Sequence, residues 1–531
     1  MSNLSDQTAP RPVKKGGSHN RSQTRKWLAV FGASLGAFIA ILDIQVTNAS
    51  LREISGSLGL DFTESGWIST AYLIAETIMI PLTGYLSEVF GVRRFVIWNC
   101  VLFVIASVLC GFAWNLTSLI AFRAFQGFVG GALVPMAFQI LLVFIPRNMR
   151  HISMVIFGMT ATLAPTVGPS LGGWITDEFG WRYIFFFNIL PGAAMVGLIM
   201  AGMRPNKINW GLLKKIDVVG ILSLSLGLGT LTYVLEEGAR QDWFEDFHIQ
   251  ICTLIALIAS TTFIITQLTK KHPLLNLYVL KERNFLLTSL ITMLTGAALY
   301  GGIFSLSLYL GQIHNYSPSQ IGMTVMWIGI PQIFVMPLVP FLMKRVNLKA
   351  LAVLGMILFA YSNFLNSFMD FNYAGEQVRW SLFIRAIGQP LFLIPISTIG
   401  MSLVGEENAG NASAIFNMMR NLGGSLGVSL AGTFLVSKQQ VHQRAIIDSI
   451  NTGSSLVQEY IYKVEMAFRA MGFDMVQAKL AAAKAFLGAA IRDSFIQSFN
   501  EVFLVLSIGL LVSIIFILIL KPVSSKEAVF E

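Results

Sequence analysis

At 531 residues, with 54% hydrophobic and 12% charged residues and a mean hydropathy of +0.67, the chain is too apolar for a soluble globular protein. Apolar runs of about 20 residues, each long enough to cross a bilayer, recur along most of it, so it reads as one membrane-embedded, all-α unit. A net charge of +9 does not make it a nucleic-acid binder, because the basic residues sit mainly in alternate short loops.

The first 26 residues are polar and basic, with Arg11, Lys14, Lys15, Arg21, Arg25 and Lys26. The apolar run that follows is too long for a signal-peptide core and lacks a convincing cleavage site, so it is expected to stay as the first span. Fourteen spans are predicted: 27–48, 66–86, 94–113, 116–144, 151–175, 183–203, 216–236, 249–269, 285–310, 319–343, 348–369, 378–403, 409–437 and 498–520. With the N-terminus placed inside, the inner segments and their borders carry 23 Lys and Arg, against 4 in the short outer loops. That asymmetry follows the positive-inside rule and predicts that both termini are cytoplasmic. The outer segment 438–497 holds 7 more, but long loops translocate largely regardless of charge. Alanine-rich from 478 to 490 and interleaved with charge, it reads as one or two amphipathic helices, either a solvated cap or a docking surface.

A weak internal repeat runs through the spans. Phe122-Arg123-Ala124-Phe125 is followed by Pro135, and Ile384-Arg385-Ala386-Ile387 by Pro395. The glycine-rich fifth and thirteenth spans match at the same offset of eight. This implies two six-helix bundles with two helices between them, as when parallel repeats form a transporter. The expected units are a basic tail 1–26, a first bundle 27–203, an insert 204–284, a second bundle 285–520 and a tail 521–531.

Asp43, Glu76, Arg123, Arg385 and Arg420 lie well inside the spans. Intramembrane charges are costly, and they pair or face an aqueous path. At about 1.5 Å per residue, Asp43, Glu76 and Arg123 fall roughly 8, 15 and 10 Å from the outer surface, within mutual reach. Two acids with one base leave an acid free to exchange a proton as access alternates. The plainer alternative is a static pair that ties helices together.

In the loop between the second and third spans, Gly91 suits a tight turn, Arg93 and Arg94 fit a cytoplasmic loop, and Glu88 offers a gate latch downstream of Gly84. In the fifth span, Ala164 to Gly173 holds Pro165, Pro169, Gly168, Gly172 and Gly173. Membrane helices tolerate such prolines, and Gly168 and Gly172, four apart, present one small-residue face to another backbone. Cys100, Cys110 and Cys252 lie in apolar spans without metal or CxxC spacing, and read as small core residues. No nucleotide-binding loop, metal cluster or dinucleotide fingerprint is evident, so no enzyme, cofactor or metal is expected.

Together these motifs resemble the fourteen-helix drug:proton antiporter branch of the major facilitator superfamily, the EmrB/QacA type. The run from Leu42 to Leu51 is similar to that branch's helix-1 motif, with Gln45 for a usual threonine and Arg52 for a usual proline. The resemblance implies that Asp43 is the proton-linked acid. Gly84 to Arg94 resembles the loop motif, with Glu88 for aspartate. Arg123, Gln126, Gly127, Gly130 and Gly131 resemble the helix-4 motif, whose arginine is implicated in proton transfer. Gly168, Pro169, Gly172 and Gly173 match the antiporter motif, with Ala164 for a usual glycine.

The resemblance implies proton-coupled export of amphipathic small molecules, such as drugs and toxic lipophilic compounds, across a bacterial inner membrane. It also implies a periplasmic adaptor and an outer-membrane channel as partners, beside protons and membrane lipid. A dedicated exporter of one metabolite, such as a siderophore or fatty acid, is a narrower alternative. A non-transporting receptor or adaptor is an alternative of another class, and a membrane-embedded enzyme ranks third.

Overall fold

The computed structural model describes residues 16–521, apart from 61, 146–148, 205–207, 214–216, 239–240, 242, 271–272, 403, 406–407 and 452–454. Most of the basic tail and all but the first residue of 521–531 therefore lie outside the described residues. The described secondary structure is helical throughout.

The first half comprises α1 (Gly16–Ala49), α2 (Leu51–Leu58), α3 (Phe62–Phe90), α4 (Val92–Gly111), α5 (Leu116–Gly130), α6 (Leu133–Phe144), α7 (Arg150–Phe179), α8 (Tyr183–Phe186) and α9 (Ile189–Gly202). A short α10 (Trp210–Leu213) leads to an antiparallel pair, α11 (Val218–Glu237) and α12 (Phe247–Thr269). The second half comprises α13 (Arg283–Ile313), α14 (Pro318–Arg345), α15 (Leu348–Leu365), α16 (Glu376–Met401), α17 (Ala409–Asn451), α18 (Ser455–Ala470) and α19 (Met475–Ile519).

The halves meet where α7 packs on α14 and where α3 and α6 pack on α17. Small residues make these approaches possible. A side chain on Gly322 would lie 2.5 Å from the Ser170 backbone nitrogen, and one on Gly84 would lie 3.3 Å from the Gly410 carbonyl. Around Gly84, at the end of the bundle where α1 begins, Ser413 donates to the Pro135 carbonyl at 2.9 Å. There, too, Phe138 stacks on Phe416 at 5.9 Å. The α11–α12 pair leans on α3 and α17, beside the seam between the halves. Its cohesion is partly electrostatic: Asp217 caps α11 through the Gly220 N–H at 2.8 Å and pairs with Lys270 at the end of α12.

Twelve described helices or helix pairs are long and apolar enough to cross a membrane. The expected spans 151–175 and 409–437 are helices α7 and α17 but are not among the twelve. Both pack on other helices, so their faces carry Thr, Ser, Asn, Gly and Pro where lipid-facing helices carry Leu and Ile. By contrast, α12 keeps only 22% of its apolar window buried and lies at the periphery.

Three expected segments differ in their internal structure. The span 116–144 is two helices, with a break at Gly131–Ala132, and 183–203 is also two, with a break at Phe187–Asn188. The segment 438–497 is not separate from its neighbours. Helix α17 continues past 437 to Asn451, and α19 begins at Met475 and runs unbroken to Ile519. The alanine-rich stretch has high helix propensity, so no break is needed between the polar extension and the apolar span.

Candidate proton-exchange site

Asp43 lies on α1, only 4% exposed, and its carboxylate collects donors from two other elements. The Arg123 Nη1 on α5 donates to Oδ2 at 2.5 Å. Gln126, one turn further along α5, donates from Nε2 to Oδ1 at 3.0 Å. Asn188, at the break before α9, donates to the same oxygen at 2.7 Å. The Asn188 side chain also donates to the Ser107 hydroxyl on α4 at 2.9 Å, and that hydroxyl donates to the Phe185 carbonyl at 2.8 Å.

Arg123 is fully buried. Its Nη1 also donates to Gln126 Oε1 at 2.8 Å, and its guanidinium lies 4.3 Å from the Tyr72 ring centroid. Close helix approach makes the layer compact: a side chain on Gly127 would lie 2.3 Å from the Tyr72 carbonyl. A buried carboxylate–guanidinium pair is tolerable when remaining valences are satisfied, and here amides, an aromatic face and backbone carbonyls supply most of them. The site is a closed polar cluster in the first half, held by α1, α3, α4, α5 and the α8–α9 break.

The glycines of α7 grip the same helix. A side chain on Gly168 would lie 2.4 Å from Gln45 Cβ, and one on Gly172 would lie 2.8 Å from the Val46 carbonyl. Both contacts fall on α1 just beyond Asp43, and Ser50 and Thr176 hydroxyls bond at 2.7 Å one turn further. Pro165 and Pro169 sit inside an unbroken α7. Gly173 instead faces the second half, where an added Cβ would lie 3.4 Å from the Ser319 nitrogen.

Glu76 does not join this cluster. It is 5% exposed on α3, and the charge that acts on it most strongly is Arg420 on α17, with the Asn421 side chain as a hydrogen-bond partner. Arg420 also donates to Asn417 Oδ1 at 3.0 Å. Arg123 and Asp43 also act on Glu76, more weakly than Arg420 does, so the expected trio is extended across the seam by a second arginine. Depth along a helix axis places Glu76 near Arg123; helix rotation, which depth does not encode, brings Arg420 of α17 to bear on it more strongly. Asn188 and Ser107 were missed as site residues because uncharged polar side chains carry no motif signal, and Arg420, though recognised as an intramembrane charge, was given no role.

In the loop motif, Gly91 has φ 82°, the left-handed conformation that glycine favours. The Arg93 side chain donates to the Met200 carbonyl at 3.3 Å, and Arg94 is half-buried. Glu88 is exposed and makes no ion pair among the described residues, so a latch through Glu88 is not formed in this conformation. The Ser87 hydroxyl donates to the Gly84 carbonyl at 2.8 Å and to Gln139 Oε1 at 3.1 Å.

The Major Facilitator Superfamily family model matches residues 33–428. The chain belongs to that superfamily. The fold agrees: the human organic anion transporter MFSD10 superposes with a TM-score of 0.54 at 14% identity, over 93% of this chain and 99% of that one. The proton:xylose symporter XylE gives 0.56 at 14% identity, over 79% and 90%. Within the superfamily the relatives are of the EmrB type. The chain is 33% identical over 490 residues to the colistin resistance protein EmrB of Acinetobacter baumannii, covering 91% of this chain and 94% of that protein. It is 30% identical over 476 residues to the multidrug export protein EmrB of Escherichia coli K12, covering 88% and 90%. The fatty acid resistance protein FarB of Neisseria gonorrhoeae is 30% identical over 434 residues, covering 80% and 84%. With its many apolar helices, the chain is a multi-pass protein of the bacterial inner membrane.

Proposed function

We propose that the chain is a proton-coupled antiporter that exports amphipathic small molecules by alternating access, with Asp43 as the proton-exchanging group. The observation that carries this is the Asp43 carboxylate, buried and held by donors from α5 and the α8–α9 break. Protonation removes the charge that makes those hydrogen bonds strong, so it loosens α1 from α5 and α9. Because Gly168 and Gly172 fit α7 to the same turns of α1, movement of α1 carries α7, and α7 carries the contact with α14.

Glu76 and Arg420 form the second set, at the seam. Glu76 makes no ion pair among the described residues and only feels the Arg420 charge, so a cationic guest would supply a direct partner, whereas a neutral guest gains nothing there. Glu76 therefore serves cation recognition. The test is efflux from inverted vesicles under an imposed proton gradient. Asp43→Asn should stop uphill transport of every substrate while binding persists, and Glu76→Gln should impair cationic substrates preferentially. Uphill transport by Asp43→Asn would refute the assignment. Equal loss of all substrates in Glu76→Gln would merge the two sets into one.

Fourteen spans with both termini cytoplasmic are part of this reading: a first bundle 27–203, an insert 204–284 and a second bundle 285–520. Its supports are the loop charge asymmetry and the helical character of 150–179 and 409–451. The end of the bundle at Gly84 is then cytoplasmic. The extensions of α17 and α19, with α18, stand in the periplasm and expose Tyr460, Tyr462, Met466 and Met475, a surface for an adaptor leading to an outer-membrane channel. A narrower reading, export of a fatty acid, is favoured by the likeness to FarB.

A further inference from the structure

A cavity of about 470 Å³ opens between the α11–α12 pair and the second half, apart from the polar sites. Its walls come from α11 (Leu224, Leu228), α12 (Phe263, Ile264) and α17 (Met418, Met419). Tyr278 and Lys281, in the turn before α13, complete the lining. The volume falls in the range of about 300–1,000 Å³ typical of small-molecule sites.

Three features narrow the occupant. First, the wall is aliphatic and aromatic over most of its extent, so it suits a hydrocarbon chain rather than a polar solute. Second, Lys281 Nζ lies 4.4 Å from the Tyr278 ring centroid and pairs with no carboxylate among the described residues, so the rim offers one uncommitted cation. Third, α17 separates the cavity from the seam. Ile415, Met418 and Met419 lie on the cavity face, whereas Asn417 and Arg420, on the opposite face, are buried with Glu76 nearby. Two adjacent methionines form a deformable partition.

We propose that this cavity is a lateral admission site for a single-chain carboxylate amphipath, with its tail between α11, α12 and α17 and its carboxylate at Lys281. The inserted helices then have a function the two bundles lack: they hold substrate drawn from the membrane beside the partition at Met418 and Met419. One chain fits, and one cation matches one carboxylate. The inference rests on the export reading for its purpose, but occupancy can be tested without it.

The full-length protein in nanodiscs of zwitterionic lipid is photolabelled with a palmitate analogue carrying a terminal diazirine, and adducts are mapped by mass spectrometry. Adducts should concentrate on the cavity faces of α11, α12 and α17. Labelling should fall about fivefold in Lys281→Glu, as loss of a partly exposed ion pair allows, while the methyl ester should label both proteins alike. Leu224→Trp should suppress both probes. Ile264→Trp, at a half-exposed position where a larger side chain has room, should do the same. Labelling spread over lipid-facing α12 and insensitive to these variants would overturn the proposal. So would competition by phosphatidylglycerol but not by oleate, which would make it a phospholipid site. Efflux of a small cationic dye is measured in parallel. Its absence in the unaltered protein, together with absence of oleate efflux, would sink the export reading, while the labelling pattern would still decide occupancy.

Discussion

Two buried arginines at equivalent places in the internal repeat have opposite surroundings. Arg123 of the first half meets a carboxylate, Asp43, and a glutamine beside it. Arg385 of the second half, 3% exposed, donates to the Leu299 carbonyl at 2.9 Å and lies 5.1 Å from the Phe359 ring, with no carboxylate in ion-pair range among the described residues. Gly302 explains the difference, since a side chain there would lie 3.3 Å from Arg385 Nη1. Where the first half places an acid, the second leaves a glycine. One half carries an acid–base pair and the other an arginine held by carbonyl and aromatic groups, so on the proposed reading proton exchange belongs to one bundle.

The largest test of that contrast is to remove each arginine. Arg123→Leu strands the Asp43 charge and should cost about 3–5 kcal/mol and abolish efflux. Arg385→Leu removes a charge that has no carboxylate partner, and should leave thermal stability in detergent near the original. Equal destabilisation would erase the distinction.

Bulky substitution at the α1–α7 contact comes next. Gly172→Leu meets the Val46 backbone at 2.8 Å, and overpacking of this kind costs about 1–3 kcal/mol. The protein should insert but lose transport. Normal efflux would show that α7 does not follow α1.

A third experiment sharpens the comparison by repairing the second half. Gly302→Asp should pair with Arg385 and be more stable than Gly302→Asn by about 1.5–3 kcal/mol, the range for hydrogen bonds to charged groups. Identical melting of the two variants would place the Arg385 guanidinium out of reach.

The smallest effect lies outside both bundles. Burial raises the Asp217 carboxyl pKa, but Lys270, the Gly220 N–H and Gln267 more than offset it, leaving it below its ordinary value. Its stabilising contribution is present above the unfolded carboxyl range and is lost as pH falls through the lowered value. Asp217→Asn should therefore melt about 1 kcal/mol less stably at pH 7, with the gap closing below about pH 4. A gap that does not vary with pH would assign Asp217 a purely helix-capping role.

Much of this was legible in the sequence, for identifiable reasons. Long apolar runs make spans visible, and the paired placement of Arg123 and Arg385 exposed the repeat. Asp43 and Arg123 were expected together and are together, because each motif fixes helix and depth at once. Glu76 was expected with Arg123, but the stronger charge on it is Arg420, which depth estimates within one half could not show because it depends on packing across the seam. The continuity of α17 and α19 beyond the apolar spans was hidden by hydropathy, which marks where lipid ends rather than where a helix ends.

The central claim is that one acid exchanges the proton, and substrate-induced proton release reads it directly. The detergent-purified protein in weak buffer with a pH-sensitive dye is mixed with a cationic substrate. The original protein and Glu76→Gln, at substrate levels that restore its occupancy, should both release protons. Asp43→Asn should release none while still binding. Undiminished release from Asp43→Asn would contradict the claim and move proton exchange elsewhere in the molecule.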